Sequence, residues 1–330
     1  MDRVRAAVSA QESRSGWRQS RWYETSRDDS GRRAAQQALA GEPSVIIIAG
    51  GDGTVRAVAE VVHGSGTPVA LLPGGTGNLL ARNLGLPLSD VDAAVRIAFG
   101  GAIRPVDVGE AEMEDEAGFR SRQVFMVMAG IGLDAQMAEN TSALEKRHLG
   151  WFAYMRPIAQ SILGNKLFHL KYRVDEGRAR AAHAHTIIVG NCGTLTGNML
   201  LLPAAVVDDG LLDVVMLRPK RRIGWARIGT RLMVQGVAHR SRFGRSMLYL
   251  APEMKTLAYA QGRRFDVRFE VPHGVQLDGD TFGSVLAARI TVRPVALQEC
   301  TAEVVRPAAV PSDRRTAAGG GPGIGRRPNG

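Results

Sequence analysis

Cysteine is scarce. Two stand in the 330-residue chain, Cys192 and Cys300, far apart and at no metal-ligand spacing. They read as free thiols of a reducing compartment, which excludes a disulfide-stapled secreted scaffold. Aromatic residues make up only 5% of the chain, too few for the stacking platforms that hold single-stranded nucleic acid. No apolar run reaches the roughly eighteen residues that a membrane-spanning helix needs, and the N-terminus lacks the apolar core of a signal peptide. There is no H-E-x-x-H for zinc, no G-x-S-x-G for a hydrolase, no phosphate-binding G-x-x-x-x-G-K-[ST] and no dinucleotide fingerprint. His183 and His185 alternate along one stretch without a third ligand, so no metal is expected there. These absences predict a cytoplasmic protein that does not bind nucleic acid and that touches a membrane only from its inner face.

What is present is ordinary in bulk: 45% apolar and 22% charged residues in a length that allows two domains. The exception is charge. A net +10 and a pI near 10.3 attract nucleotides, phosphates or an anionic membrane face.

Residues 44–49 (SVIIIA) form an apolar β-branched run ending in glycines, the pattern of a parallel strand buried on both faces. Residues 54–63 place Val55, Val58, Ala59 and Val62 on one helical face. A second buried strand follows at 69–72, then helices at 78–84 and 91–100. Strand, glycine turn, helix, repeated, predicts a parallel sheet with ligands at the carboxyl ends of its strands. After about residue 103 the rhythm changes to short strands at 106–108, 124–129, 167–174, 186–189, 212–217, 256–260, 266–270 and 289–292, interrupted by one long helical block at 147–163. Many strands with few helices predict a β-sandwich. The expected fold is therefore an α/β nucleotide-binding domain over 1–104, a β-sandwich over 105–298 whose last strand returns to the first domain, and a disordered tail rich in Pro, Gly, Ala and Arg over 299–330.

Two glycine turns carry the chemistry. In IIIAGGDGTV (46–55), Gly50, Gly51 and Gly53 let the backbone approach a phosphate without a Cβ in the way. The helix start that follows favours an anion. Asp52 can bind Mg²⁺, a substrate hydroxyl or a neighbouring donor. LLPGGTGNLLARNLGLP (71–87) repeats the logic with Gly75 and Thr76, and with Asn78 as the expected N-cap. Turns at consecutive strand ends face one crevice, where an adenine nucleotide would lie. Asp278-Gly279-Asp280 reads alone as a hairpin turn.

GGDGT followed by a P-x-GT-x-N turn resembles the diacylglycerol kinase catalytic domain in its bacterial lipid kinase branch, with sphingosine kinases also similar. NAD kinases share GGDGT but follow it with a different turn. FMVMAGIGLDAQM (125–137) is similar to the strand that opens that family's second domain, and VGNCGTLTGNMLLLPAAVVDDGLLDVVML (189–217) to its long signature. VQLDGD (275–280) stands where the family has DGE. The resemblance covers roughly residues 25–295. It implies ATP contacts from Thr25, Gly50 to Thr54, Gly75, Thr76 and Asn78. It implies Mg²⁺ at Asp209 with the carbonyls of Val206 and Leu211, a set of hard oxygen donors. It also implies Asp280 as general base, supported by Asp278, for γ-phosphate transfer to a hydroxyl of diacylglycerol, a sphingoid base or a related lipid.

Three departures stand out. Members of the family begin with a strand carrying Asn-Pro, and none is found after Met1-Asp2-Arg3. Asp280 replaces the usual Glu. Arg56-Ala57 replaces an Asn-Glu pair. A soluble-substrate kinase of the NAD kinase type and an inactive nucleotide- or lipid-binding homologue remain as alternatives. Residues 218–245 hold nine Lys or Arg and no acid. They read either as an amphipathic membrane-surface helix or as a solvated helix face. The sequence does not name the lipid or fix the oligomeric state; a homodimer is allowed.

Overall fold

The computed structural model describes residues 2–26, 28–132, 167–194, 200–218 and 257–302. The helical blocks expected at 147–163 and within 218–245, and the tail from 303 on, lie outside the described residues.

The first domain opens with helix α1 (Asp2–Ser15), followed by an extended segment and helix α2 (Arg32–Leu39). Strand β1 (Ile46–Gly50), helix α3 (Asp52–Val62) and strand β2 (Val69–Pro73) form a βαβ unit with β1 and β2 parallel. Short helix α4 (Leu79–Asn83) and helix α5 (Val91–Gly100) follow. Strand β2 is buried on both faces, whereas in the edge strand β1 Ile46 and Ile48 are buried, Ile47 is half-buried and Ala49 is exposed. On one face Val8 of α1 packs with Ala70, Leu72, Val95 and Phe99. On the other, Ile46, Ile48 and Leu71 meet Val55, Val58 and Val62 of α3.

The remaining described strands are β3 (Ala102–Glu114), β4 (Arg120–Phe125), β5 (Met128–Ile131), β6 (Phe168–Val174), β7 (Arg180–Ala184), β8 (Thr186–Gly190), β9 (Leu212–Leu217), β10 (Leu257–Gly262), β11 (Arg264–Leu277) and β12 (Asp280–Thr301). The long strands β11 and β12 are shared by two arms: β3, β4, β6 and β7 on one side, and β5, β8, β9 and β10 on the other. Phe125, Ile131, Ile187, Met216, Phe265, Leu277 and Ile290 fill the space between the arms, which gives the β-sandwich its core.

The two domains share one continuous sheet. Beyond a register shift between Arg293 and Leu297, β12 pairs antiparallel with the start of β3, and Glu299 pairs parallel with Val69 of β2. The expected tail boundary at residue 299 is thus too early, because β12 continues through Cys300 to Thr301.

At the other end of the sheet, β1 pairs only with β2 among the described residues. Its outer edge faces a cavity of about 1130 Å³ whose far wall is the irregular segment after α1; Trp17, Thr25, Ala35, Ile47, Thr54 and Phe99 are among the lining residues. No Asn-Pro strand occupies that edge among the described residues.

Candidate active site

Because β1 and β2 are parallel with Gly50 opposite Pro73, both glycine turns leave the same end of the sheet. They pack backbone on backbone. The Gly74 N–H donates to the Gly50 carbonyl at 3.0 Å. A Cβ on Gly75 would lie 2.9 Å from the Gly51 Cα, and one on Gly74 would lie 3.5 Å from the Gly50 Cα. Gly75 is therefore needed for turn to meet turn, while Gly74 sits at ordinary contact distance, and the bare turns leave their backbone open to a ligand.

Asp52 is the first residue of α3, in the turn where an acid complements the helix dipole. Its Oδ1 accepts the Leu79 N–H at 2.6 Å, so it caps the helix that follows the other turn. A side chain on Gly77 would collide with its second oxygen. Burial pushes the Asp52 carboxyl above its usual range, opposed by the Leu79 and Asn78 amides and by the charge of Arg82. Binding a neighbouring donor is one of the three roles open to Asp52 in the sequence, and its Oδ1 does so through Leu79.

Asn78 does not cap α4. It adopts a left-handed conformation with φ 47°, and its side chain turns back to Gly75: Oδ1 accepts the Gly75 N–H at 3.1 Å and Nδ2 donates to the Gly75 carbonyl at 2.7 Å. That clamp shapes the turn and leaves Thr76 at its exposed tip. Thr25 is exposed as well. A Cβ on Gly31 would lie 2.9 Å from the Thr25 Cγ2 and 3.7 Å from the Thr54 Cγ2, which brings Thr25 and Thr54 together at the cavity wall.

The second domain delivers two acids to this place. Asp278 is buried at a left-handed φ of 49°. Its oxygens accept the N–H groups of Met126, Val127 and Met128 at 2.7–2.9 Å. Burial lifts its carboxyl to about 6, against those three amides and with the Asp52 charge adding to the rise. Asp278 thus clamps the bend between β4 and β5. Asp280 stays half exposed and reaches the GGDGT turn: a Cβ on Gly53 would lie 3.1 Å from its Oδ2. That same Oδ2 accepts from Arg56 Nη2 at 2.9 Å.

Asp209 lies in a separate turn before β9. Its Oδ1 accepts the Leu211 N–H at 3.0 Å. Beneath it, fully buried Asp107 accepts from the Gly210 N–H at 2.6 Å and from the Val295 N–H at 2.8 Å. The Val207 carbonyl takes the Asp107 N–H, and Asp208 pairs with Arg104 at 2.9 Å. Burial raises the Asp209 carboxyl, and the charges of Asp107 and Asp208 raise it further; burial also lifts Asp213 to about 6. Acids that repel one another favour a hard divalent cation, which would relieve that repulsion. Among the described residues, no three His, Cys, Asp or Glu side chains form a ready metal cluster, so carbonyls such as those of Val206 and Leu211 and water would have to complete the shell.

The structure therefore gathers Thr25, Gly50 to Thr54, Gly75, Thr76, Asn78, Asp278 and Asp280 at one end of the sheet and sets the turn of Val206, Asp209 and Leu211 apart. Asn191 bridges the two regions: its Nδ2 donates to the carbonyls of Asp107 and Met126, and Met126 donates to Asp278. Sequence reasoning missed Asp107 and the Arg56 contact. Asp107 carried a signal, a lone acid inside the apolar strand Val106-Asp107-Val108.

Residues 5–111 match the family described as the diacylglycerol kinase catalytic domain, and residues 126–300 match the YegS C-terminal NAD kinase beta sandwich-like domain. A "Probable lipid kinase YegS-like" of Pseudomonas aeruginosa is 34% identical over 68% of this chain and 70% of its own length. A protein of the same description from Pseudomonas fluorescens is 30% identical over 90% of each. A "Diacylglycerol kinase" of Mycobacterium tuberculosis is 26% identical over 81% of this chain and 80% of its own. The crystal structure of a diacylglycerol kinase from Bacillus anthracis superposes with a TM-score of 0.62 over 84% of each chain at 23% identity, a likeness of fold.

Proposed function

The chain belongs to the lipid kinase family that joins a diacylglycerol kinase catalytic domain to a YegS-type C-terminal domain, and from that premise we propose that it transfers the γ-phosphate of ATP to a hydroxyl of diacylglycerol or a related lipid. The observation that carries the proposal is the meeting of Asp280 with Gly53. This acid of the second domain, half exposed at the GGDGT turn, lies against the backbone where a phosphate would sit.

In this reading the nucleotide lies along the two glycine turns. The cavity beside Thr25 and Thr54 exceeds the roughly 300 Å³ of a small ligand pocket. Backbone N–H groups at the start of α3 face the phosphates, and the bare glycines allow close approach. Asp280 accepts the proton of the lipid hydroxyl as its oxygen bonds to the γ-phosphorus, and the bond from phosphorus to the ADP oxygen breaks. Asp52 fixes the spacing of the turns. Mg²⁺ held at the Asp209 turn would supply positive charge to the fold of the second domain. The lipid comes from a membrane face, which a net charge of +10 favours when that face is anionic. No helix among the described residues is long and apolar enough to cross a bilayer.

The test is labelled ATP with Mg²⁺ and a panel of diacylglycerol micelles, sphingoid-base micelles and NAD. Label in a lipid product supports the proposal. Label in NAD alone assigns the protein to soluble substrates, and ATP binding without turnover on any acceptor assigns it to the inactive homologues.

A further inference from the structure

We propose that Arg56 is the positioning residue for Asp280, holding the carboxylate against the GGDGT turn from within the first domain. The inference rests on the functional reading above and concerns the same site.

Arg56 lies in the first half of α3, two residues after Thr54, and its side chain is only 4% exposed while that of Asp280 is 47% exposed. A guanidinium is rarely buried so deeply, and burial of a charge needs a partner. Here the partner comes from 224 residues away: Nη2 donates to Asp280 Oδ2 at 2.9 Å. Two residues further along β12, Phe282 lies under the guanidinium, 4.6 Å from Cζ to the ring centroid. Residues i and i+2 of a strand share a face, so Asp280 and Phe282 grip one cation together. Its plane and its edge are both fixed.

The other edge of the guanidinium is less well served. Nη1 lies 3.8 Å from Glu60 Oε2, too far for a hydrogen bond, and neither Nε nor Nη1 has a hydrogen-bond partner. A buried cation with unpaired donors and a half-exposed partner is a poor device for stability, and an apolar side chain of similar volume would do as well. The cation's effect falls on the direction of the Asp280 carboxylate. Glu60 is itself held by Arg32, whose Nη2 and Nε bond its Oε2 at 2.6 and 3.1 Å. Arg32 follows Gly31, the residue packed against Thr25 and Thr54. The alternating charges Arg32, Glu60, Arg56 and Asp280 thus run from the Thr25 end of the site to the acid of the second domain.

The experiment compares wild type, Arg56→Gln and Arg56→Lys in the micelle assay at saturating lipid. Misaimed by about 1 Å, a reacting group loses on the order of a hundredfold in rate. Arg56→Gln is therefore expected to lose at least roughly tenfold in kcat with its KM for ATP within about threefold, and Arg56→Lys, which keeps the charge, to recover part of kcat. In an Asp280→Asn background, Arg56→Gln should cost nothing further, since the two act as one unit. A kcat for Arg56→Gln within about threefold of wild type overturns the inference, and so does an equal additional loss in the Asp280→Asn background. Hydrogen exchange separates this inference from the functional reading. If the wild type phosphorylates no lipid, that reading fails, and positioning is decided by the amides of residues 280–282. Faster exchange there in Arg56→Gln with α3 unchanged supports it, and unchanged exchange overturns it.

Discussion

Asp52, at the start of the helix after the first glycine turn, accepts its hydrogen bond from the Leu79 N–H after the second, at 2.6 Å. One carboxylate therefore sets the distance between the two glycine loops, and the geometry of the candidate site is a property of the pair.

Removing that link is expected to damage function and fold together. Asp52→Ala leaves the first amide of α4 without an acceptor, a loss of about 1 kcal/mol on the scale of helix capping. The denaturant midpoint measures this, and lipid phosphorylation should fall to background. Asp52→Asn keeps an acceptor oxygen and is expected to recover most of the stability.

The glycines make a second, separable prediction. In Gly75→Ala the new methyl would meet the Gly51 Cα at 2.9 Å, and backbone cannot yield as a flexible side chain does. The turns are expected to move apart, with a stability loss of about 1–3 kcal/mol and weaker ATP binding by calorimetry. Gly100→Ala is the control, because nothing lies within 4 Å of its added Cβ; ATP affinity there should match the wild type.

Repulsion among Asp107, Asp208 and Asp209 predicts a cation response. Mg²⁺ is expected to raise the Tm of the wild type more than that of Asp209→Asn. Without Mg²⁺ the order reverses. The Asp209 carboxyl is raised in the folded protein, so its stabilising contribution is full below its ordinary range and is lost as pH rises. The metal-free Asn variant should therefore melt higher than wild type above that range. Equal melting curves with and without Mg²⁺ in both proteins would remove the metal from this turn.

Glu299 gives a pH test in the sheet that joins the domains. It is fully buried, and neither carboxylate oxygen has a hydrogen-bond partner. Burial lifts its pKa well above the ordinary 4.5, and the nearby Leu71 amide, which makes no well-formed hydrogen bond to it, pulls the other way. A carboxyl raised on folding supports stability fully below its unfolded pKa and loses that support as pH rises through the folded one. Glu299→Leu is thus expected to melt near wild type at acid pH. At alkaline pH it should be more stable by about 1–3 kcal/mol. A pH-independent difference would contradict this assignment.

Much of this architecture is legible in the sequence because its causes are local. A β-branched run ending in glycines specifies β1, and apolar spacing specifies α3 and α5. What is not legible depends on distant partners. Nothing local says that β12 runs from Asp280 to Thr301 and pairs with β11, β3 and β2 in turn. Helix α1 carries no clean apolar period, and its burial rests on Val8 meeting β2 and α5. Asn78 has the residue type of a cap, yet the helix start it precedes is capped by Asp52 from the neighbouring loop. Arg56 and Asp280 were each visible as departures from the family's pattern. That one holds the other was not, since residues 224 apart meet only through the fold.

Asp280, brought to Gly53 by the second domain, is proposed to take the proton of a lipid hydroxyl. Single-turnover transfer of the γ-phosphate from prebound ATP to micellar diacylglycerol, in wild type and in Asp280→Ala, tests it most directly. Transfer is expected in the wild type, with a loss of roughly a hundredfold or more in Asp280→Ala, the scale of a general base, and ATP affinity retained. Transfer at an undiminished rate in Asp280→Ala would contradict it.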